Sequence, residues 1–259
     1  MKKLFAIILC AALMLTAAAL AEPSSLVGSA APDFTVTTCD GETLTLGGLL
    51  AEKELVALNI FTSWCPPCRQ EFPEMEGIYE ALSDRMEIVA VSAEPEDTDE
   101  IIAAYRDELG LTFPMGLASG TGIVEYARVQ GYPTTLFIDR DGNLGYYQLG
   151  MFLVGEQFKV LADYFLSDGY DGTPATACNV YVCDQDKEPV AGAYLNFCTD
   201  TTCETKQSDE NGLICFAGKP ESYHVQILKL PEGYSFDENY DETYDSPSGD
   251  WMYVQVTKG

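Results

Sequence analysis

Histidine and positive charge are what this chain most lacks. Of 259 residues only one is a histidine, His224, and 14 lysines and arginines face 41 aspartates and glutamates. A zinc site built on a CxxC pair needs further nitrogen or sulfur ligands, and a single histidine far along the chain does not supply them. The excess of negative charge disfavours nucleic acid and anionic membrane surfaces as partners. Beyond residue 21 no apolar run approaches the ~20 residues that a membrane helix requires. With 47% hydrophobic residues, the chain is nevertheless no disordered acidic tail and can bury proper cores.

The first 21 residues differ from the rest. Lys2 and Lys3 precede an apolar stretch from Leu4 to Leu20, and Ala19-Leu20-Ala21 forms a small-x-small cleavage signal before Glu22. This is the layout of a secretory signal peptide, with an uncleaved membrane anchor as the alternative. Its removal takes the basic residues to 12 against 41 acidic ones, a formal charge of about −29. It also takes Cys10, leaving eight of the nine cysteines in a compartment where disulfides persist.

Two of those eight are special. An apolar run, Leu55 to Phe61, reads as a buried strand that delivers Trp64-Cys65-Pro66-Pro67-Cys68 to the first turn of a helix. Unpaired backbone N–H groups and the positive end of the helix dipole favour a thiolate there, making Cys65 the expected nucleophile. Cys68 lies within one turn and can resolve the mixed disulfide. Pro66 costs nothing at an early helical position, whereas Pro73 falls deeper and should kink the helix.

The WCPPC run, Pro73, and Gly131-Tyr132-Pro133-Thr134-Thr135 ahead of Leu136-Phe137-Ile138-Asp139 resemble the thioredoxin superfamily, and within it the TlpA/ResA-like oxidoreductases. The resemblance runs from Ala31 to Ser167. It implies a thioredoxin fold of the α/β class with an N-terminal β-hairpin and a central insertion. It further implies a cis Pro133 facing the cysteines, with Tyr132 and Pro133 as the substrate-docking edge. Trp64 would shield the site, and a glutamate near the end of the next strand would tune the cysteines. Glu94 is the nearest match for that glutamate, with Glu96 as an alternative register and a plain surface carboxylate as the bland reading. Asn59 stands where thioredoxin has a buried aspartate and cannot act as a base.

Along the chain, Asp33–Thr37 and Thr43–Leu46 alternate around Asp40-Gly41 as a hairpin, after a short tether over 22–32. Helices are expected over 98–109, 122–130 and 154–166, strands over 87–92, 111–117 and 134–139, and a closing hairpin strand over 144–150. Ser167 to Pro174 is rich in turn residues and reads as a linker over 168–175. This divides the chain into a redox domain over 33–167 and a second domain over 176–259. Short β runs there indicate a small all-β sandwich, and Pro189 to Ala193, Ser208 to Gly212 and Pro231 to Tyr234 resemble prealbumin-like sandwiches of the Cna B-type and carboxypeptidase-regulatory kind. No isopeptide bond is expected, since the first strand carries Cys183 rather than a lysine.

Cys198 and Cys203 are close enough in sequence to staple a hairpin tip, and Cys183 with Cys215 is a candidate second bond. Cys39 is left to Cys178 only by elimination, since six cysteines allow fifteen pairings. The acidic stretch 237–250 reads as a solvated loop rather than a calcium site, for it lacks the glycine and terminal glutamate of an EF-hand loop. The functional expectation is an exported thiol-disulfide oxidoreductase without cofactor or metal. It would act on protein thiols and disulfides as a reductant and be recharged by a membrane electron carrier. A surface binding protein whose sandwich carries the function is the alternative from another class. A thiol peroxidase is the rival enzyme, although Leu58 stands where its motif needs a proline.

Overall fold

The computed structural model describes residues 23–152, 155–246 and 251–259. The expected leader, and residues 247–250 of the acidic stretch, lie outside them. Among the described residues no helix is long and apolar enough to cross a membrane.

The first half is built on a five-stranded sheet. Its strands are β3 (Leu55–Phe61), β4 (Met86–Ser92), β5 (Met115–Leu117), β6 (Thr134–Asp139) and β7 (Leu144–Leu149), in the order β5-β4-β3-β6-β7. β3, β4 and β5 run parallel, and β6 and β7 antiparallel to their neighbours. Every residue of β3 is buried, as expected for a central strand covered on both faces. Alternation assigns Leu55, Ala57 and Phe61 to one core, shared with α2 (Pro66–Leu82), α3 (Asp99–Leu109) and α5 (Gly155–Phe165). Val56, Leu58 and Ile60 go to the other, beneath the hairpin of β1 (Thr35–Thr37) and β2 (Thr43–Thr45) with α1 (Leu46–Leu50) and α4 (Ile123–Ala127).

Local chemistry sets the ends of these elements. Thr98 caps α3 by accepting from Ile101 N, and Gly110 closes it in the left-handed region at φ 67°. α4 is shorter than its apolar spacing suggests, because Arg128 turns left-handed at φ 49° and ends it. The strand expected over 111–117 pairs only from Met115 onward. The stretch expected as a tether is tied down, with Gly28 N donating to Leu144 O and Ala31 N to Gly142 O.

The second half is sheet-rich. β10 (Cys203–Gln207), β9 (Tyr194–Cys198), β12 (Ser222–Lys229) and β14 (Glu242–Asp245) form one sheet in that order. β11 (Leu213–Gly218), β8 (Thr176–Cys183) and β15 (Met252–Gln255) form another, in which β15 runs parallel to β8. A short ribbon joins β13 (Tyr234–Ser235) to β16 (Thr257–Lys258). Both larger sheets contribute to one core, including Phe197 and Val225 from the first and Val180 and Val254 from the second.

The two halves share packing rather than hanging from a free linker. Tyr170 donates its hydroxyl to the buried Asp139 at 2.6 Å, and Arg140 lies over its ring. Ala175 N donates to Gly145 O, and Lys219 pairs with Asp171. Ala175 and Ala177 belong to the same core as Phe165 of α5, and Phe165 also packs on Phe137 and Tyr170. Phe165→Ala is therefore expected to cost about 3–5 kcal/mol in chemical denaturation. It should lower the unfolding midpoint of both halves together, read by fluorescence and far-UV circular dichroism.

Candidate active site

β3 ends at Phe61, and after four intervening residues α2 begins. Cys65 is the N-cap of α2, with extended backbone (φ −80°, ψ 109°), and its Sγ accepts from Cys68 N at 3.2 Å. Pro66 and Pro67 occupy the first helical positions, where no N–H is missed. Cys65 and Cys68 are joined by a disulfide and nearly sealed from solvent, at 3% and 0% exposure. An orphan helix N–H aimed at the sulfur is the contact that stabilises a thiolate once the bond opens.

The surroundings hold this turn in place. Asp97, itself buried, accepts from Ser63 N and Ser63 Oγ and from Ser92 Oγ, locking the loop before the cysteines to the end of β4. Trp64 is 63% exposed and meets Tyr132 edge-on, with ring centroids 6.3 Å apart. The Tyr132–Pro133 peptide bond is cis, and Pro133 O accepts from Gly150 N. With the half-exposed Leu149 beside Gly131, these side chains form an apolar rim.

Glu94 reaches the residue that precedes Cys65. Its carboxylate accepts from Trp64 Nε1 and from Glu96 N, so it braces the tryptophan. A second buried carboxylate of the site is Glu71, three residues beyond Cys68 and one turn along the same helix. It accepts from Asn59 Nδ2 at 3.2 Å and from Phe152 N at 2.9 Å. Burial pushes its carboxyl up to about 7, the two donors opposing that rise only in part. Asn59 also donates to Thr135 Oγ1 at 2.9 Å, while its Oδ1 has no partner. Turned over, the amide would offer that oxygen to a protonated Glu71, so one side chain can serve both protonation states. A signal for Glu71 was present in the sequence. A carboxylate between Cys68, Phe72 and Met75 sits on the apolar face of the helix.

The other cysteines divide into bonded and free. Cys198 and Cys203 form a disulfide. Cys183 and Cys215 do not, since Cys215 lies opposite Asn179 on β8. That puts it four residues from Cys183, on the order of 13 Å along the strand and beyond the ~7 Å a disulfide can bridge. Cys39 and Cys178 are also free. Cys39 Sγ accepts from Arg106 Nη1 in the first half, whereas Cys178 is sealed in the core of the second. Burial pushes the Cys178 and Cys215 thiols up to about 12, so they stay protonated and inert. Among the described residues no group of three or more His, Cys, Asp or Glu side chains could hold a metal ion.

Glu71 makes a pH prediction with a defined sign. Between about pH 4.5 and 7 the folded protein keeps a proton that the unfolded chain has lost, so stability falls as pH rises through that window. The total is about 3 kcal/mol. Glu71→Gln should remove this slope, as urea titrations of oxidised protein across that range would show.

The comparisons with known proteins cover the same region. The AhpC/TSA family model matches residues 27–147. The thioredoxin-like protein YneN of Bacillus subtilis is 38% identical over 116 residues, spanning 44% of this chain and 66% of YneN. The thiol-disulfide oxidoreductase ResA of Bacillus thuringiensis is 32% identical over 134 residues, spanning 51% of this chain and 72% of ResA. The crystal structure of StoA from Bacillus subtilis aligns at 26% identity with a TM-score of 0.42, covering 49% of this chain and 92% of StoA. With its dithiol at a helix start and this similarity across its first half, the chain belongs to the thioredoxin-like thiol-disulfide oxidoreductases of the ResA kind.

Proposed function

We propose that the protein is exported and reduces disulfides in extracytoplasmic proteins through the Cys65–Cys68 pair, taking its electrons from a membrane carrier. The observation that carries this reading is the Cys65 sulfur at the N-terminus of α2, accepting a helix N–H, with Cys68 one turn away and bonded to it. In the reduced protein the Cys65 thiolate attacks a substrate disulfide, releasing one substrate thiol. Cys68 then attacks Cys65 Sγ, releasing the second and closing the disulfide. Glu71, poised near neutrality one turn further on, takes the Cys68 proton as that thiol becomes a nucleophile. Tyr132 and Pro133 form the edge on which the substrate chain lies, and Trp64, held by Glu94 and edge-on to Tyr132, shields the site.

Export rests on the leader-like first 21 residues and on the even number of cysteines that remain beyond it. The two C-terminal sheets around one core support a prealbumin-like sandwich of the Cna B-type and carboxypeptidase-regulatory kind over 176–259. That part recruits substrates to the dithiol. A purely adhesive role for it is a second reading, favoured by the outward-facing Tyr253 and Leu228.

Cys65→Ser should abolish reduction of an insulin disulfide, whereas Cys68→Ser should trap a mixed disulfide visible on a non-reducing gel. Retention of the biological activity in Cys65→Ser would instead favour the adhesive reading. Turnover of hydrogen peroxide should be negligible, because Leu58 stands where a peroxidatic motif has its proline. Equilibration of the Cys65–Cys68 pair with thiol buffers should give a potential of roughly −270 mV or lower, while one near −120 mV would make it an oxidant.

A further inference from the structure

The disulfide between Cys198 and Cys203 is a poor fit to a purely structural role. It joins directly opposed residues at the end of the β9–β10 hairpin. The hairpin tip is closed without it, since Thr199 N donates to Thr202 O at 2.7 Å. Thr199 Oγ1 also accepts from Thr202 N at 3.2 Å. A bond across five residues constrains the unfolded chain less than one closing a long loop. Cys203 is exposed and Cys198 half-buried, whereas Cys178 and Cys183 are wholly buried and free. Exposed disulfides are the labile ones.

The third strand of the same sheet supplies what such a bond needs. His224 on β12 is the register partner of Cys198 on β9, which is in turn the partner of Cys203 on β10. Directly opposed side chains share a face, with Cβ atoms ~5 Å apart, so the chain's only histidine stands in one row with both sulfurs. Its neighbours Tyr223 and Val225 point into the core, and His224 itself is 58% exposed. Asp241 Oδ1 lies 3.4 Å from His224 Nδ1, so a carboxylate stands beside the imidazole. The other groups around the imidazole are Thr243, opposite it on β14, and Glu221, Ser222, Thr199, Asp200 and Thr201. Those five line a cavity of 390 Å³ with His224, beside the hairpin tip.

We propose that Cys198–Cys203 is a second exchangeable disulfide, reduced by a dithiol that attacks the exposed Cys203 while Cys198 leaves beside His224. The donor's thiolate bonds to Cys203 Sγ, the Cys198–Cys203 bond breaks, and the Cys198 thiolate takes its proton from His224. The donor's second thiol then attacks its own sulfur in the mixed disulfide, and Cys203 leaves and is protonated. Two electrons and two protons pass from the dithiol to the Cys198/Cys203 pair, and the donor is left as a disulfide. The reduced Cys65/Cys68 pair of a second copy is one such donor, and a small-molecule dithiol is the other.

The test uses the full chain carrying Cys65→Ser and Cys68→Ser, so that only the second disulfide can open. It is treated with dithiothreitol, or with stoichiometric reduced Cys198→Ser/Cys203→Ser protein as the donor. New thiols are alkylated and quantified by peptide mass spectrometry, with circular dichroism followed in parallel. Cys198 and Cys203 should become labelled together while the dichroism is unchanged, and re-close on adding oxidised dithiothreitol. His224→Gln, a change on an exposed position, should slow opening by about fivefold at neutral pH. Opening by the protein donor assigns the source to a second copy, and opening by dithiothreitol alone assigns it to small dithiols. Labelling that appears only as the dichroism collapses, or an unchanged rate in His224→Gln, would overturn the proposal.

Discussion

A sulfur placed where a helix begins is the constraint on which the rest of the redox half depends. The first N–H groups of α2 have no partner within the helix, and one of them is aimed at Cys65. That arrangement requires β3 to end at the right height and the intervening loop to be fixed, which the buried Asp97 achieves through Ser63 and Ser92. It also requires a floor beneath the helix. Asn59 of β3 and Thr135 of β6 are register partners, and together with Glu71 of α2 they make a small polar layer inside an otherwise apolar core. A carboxyl in that layer is costly to ionise, and this cost brings its proton affinity into the range where thiols exchange theirs.

Much of this was legible in the sequence, and the failures have identifiable causes. The WCPPC run and the apolar strand before it announce themselves by residue type and spacing, and the Tyr132-Pro133 pair by the family resemblance. Glu71 does not, because Arg69-Gln70-Glu71 reads as a solvated stretch unless each residue is set on the helix wheel beside Cys68 and Met75. Glu94 is legible only by its place at the end of a strand. Only the fold shows its carboxylate turned to the indole of Trp64.

Strand register explains the misassigned cysteines. Cys183 and Cys215 both lie on strands of one sheet, but which residues face each other depends on the register of β11 against β8, and with β9 and β10 between them in the chain no short turn fixes that register in the sequence. The linker carries a further signal besides its turn residues. Its glycines and aspartates signal turns correctly, yet Tyr170 among them signals anchorage, since an aromatic ring is rarely left in solvent when a buried Asp139 and a cationic Arg140 lie within reach.

That anchorage changes what the second half can be mechanically. With Tyr170 seated on Asp139, Lys219 on Asp171 and Ala175 hydrogen-bonded to Gly145, the C-terminal sheets are a stiff arm rather than a ball on a string. Whatever grips that arm also sets the direction in which the dithiol faces.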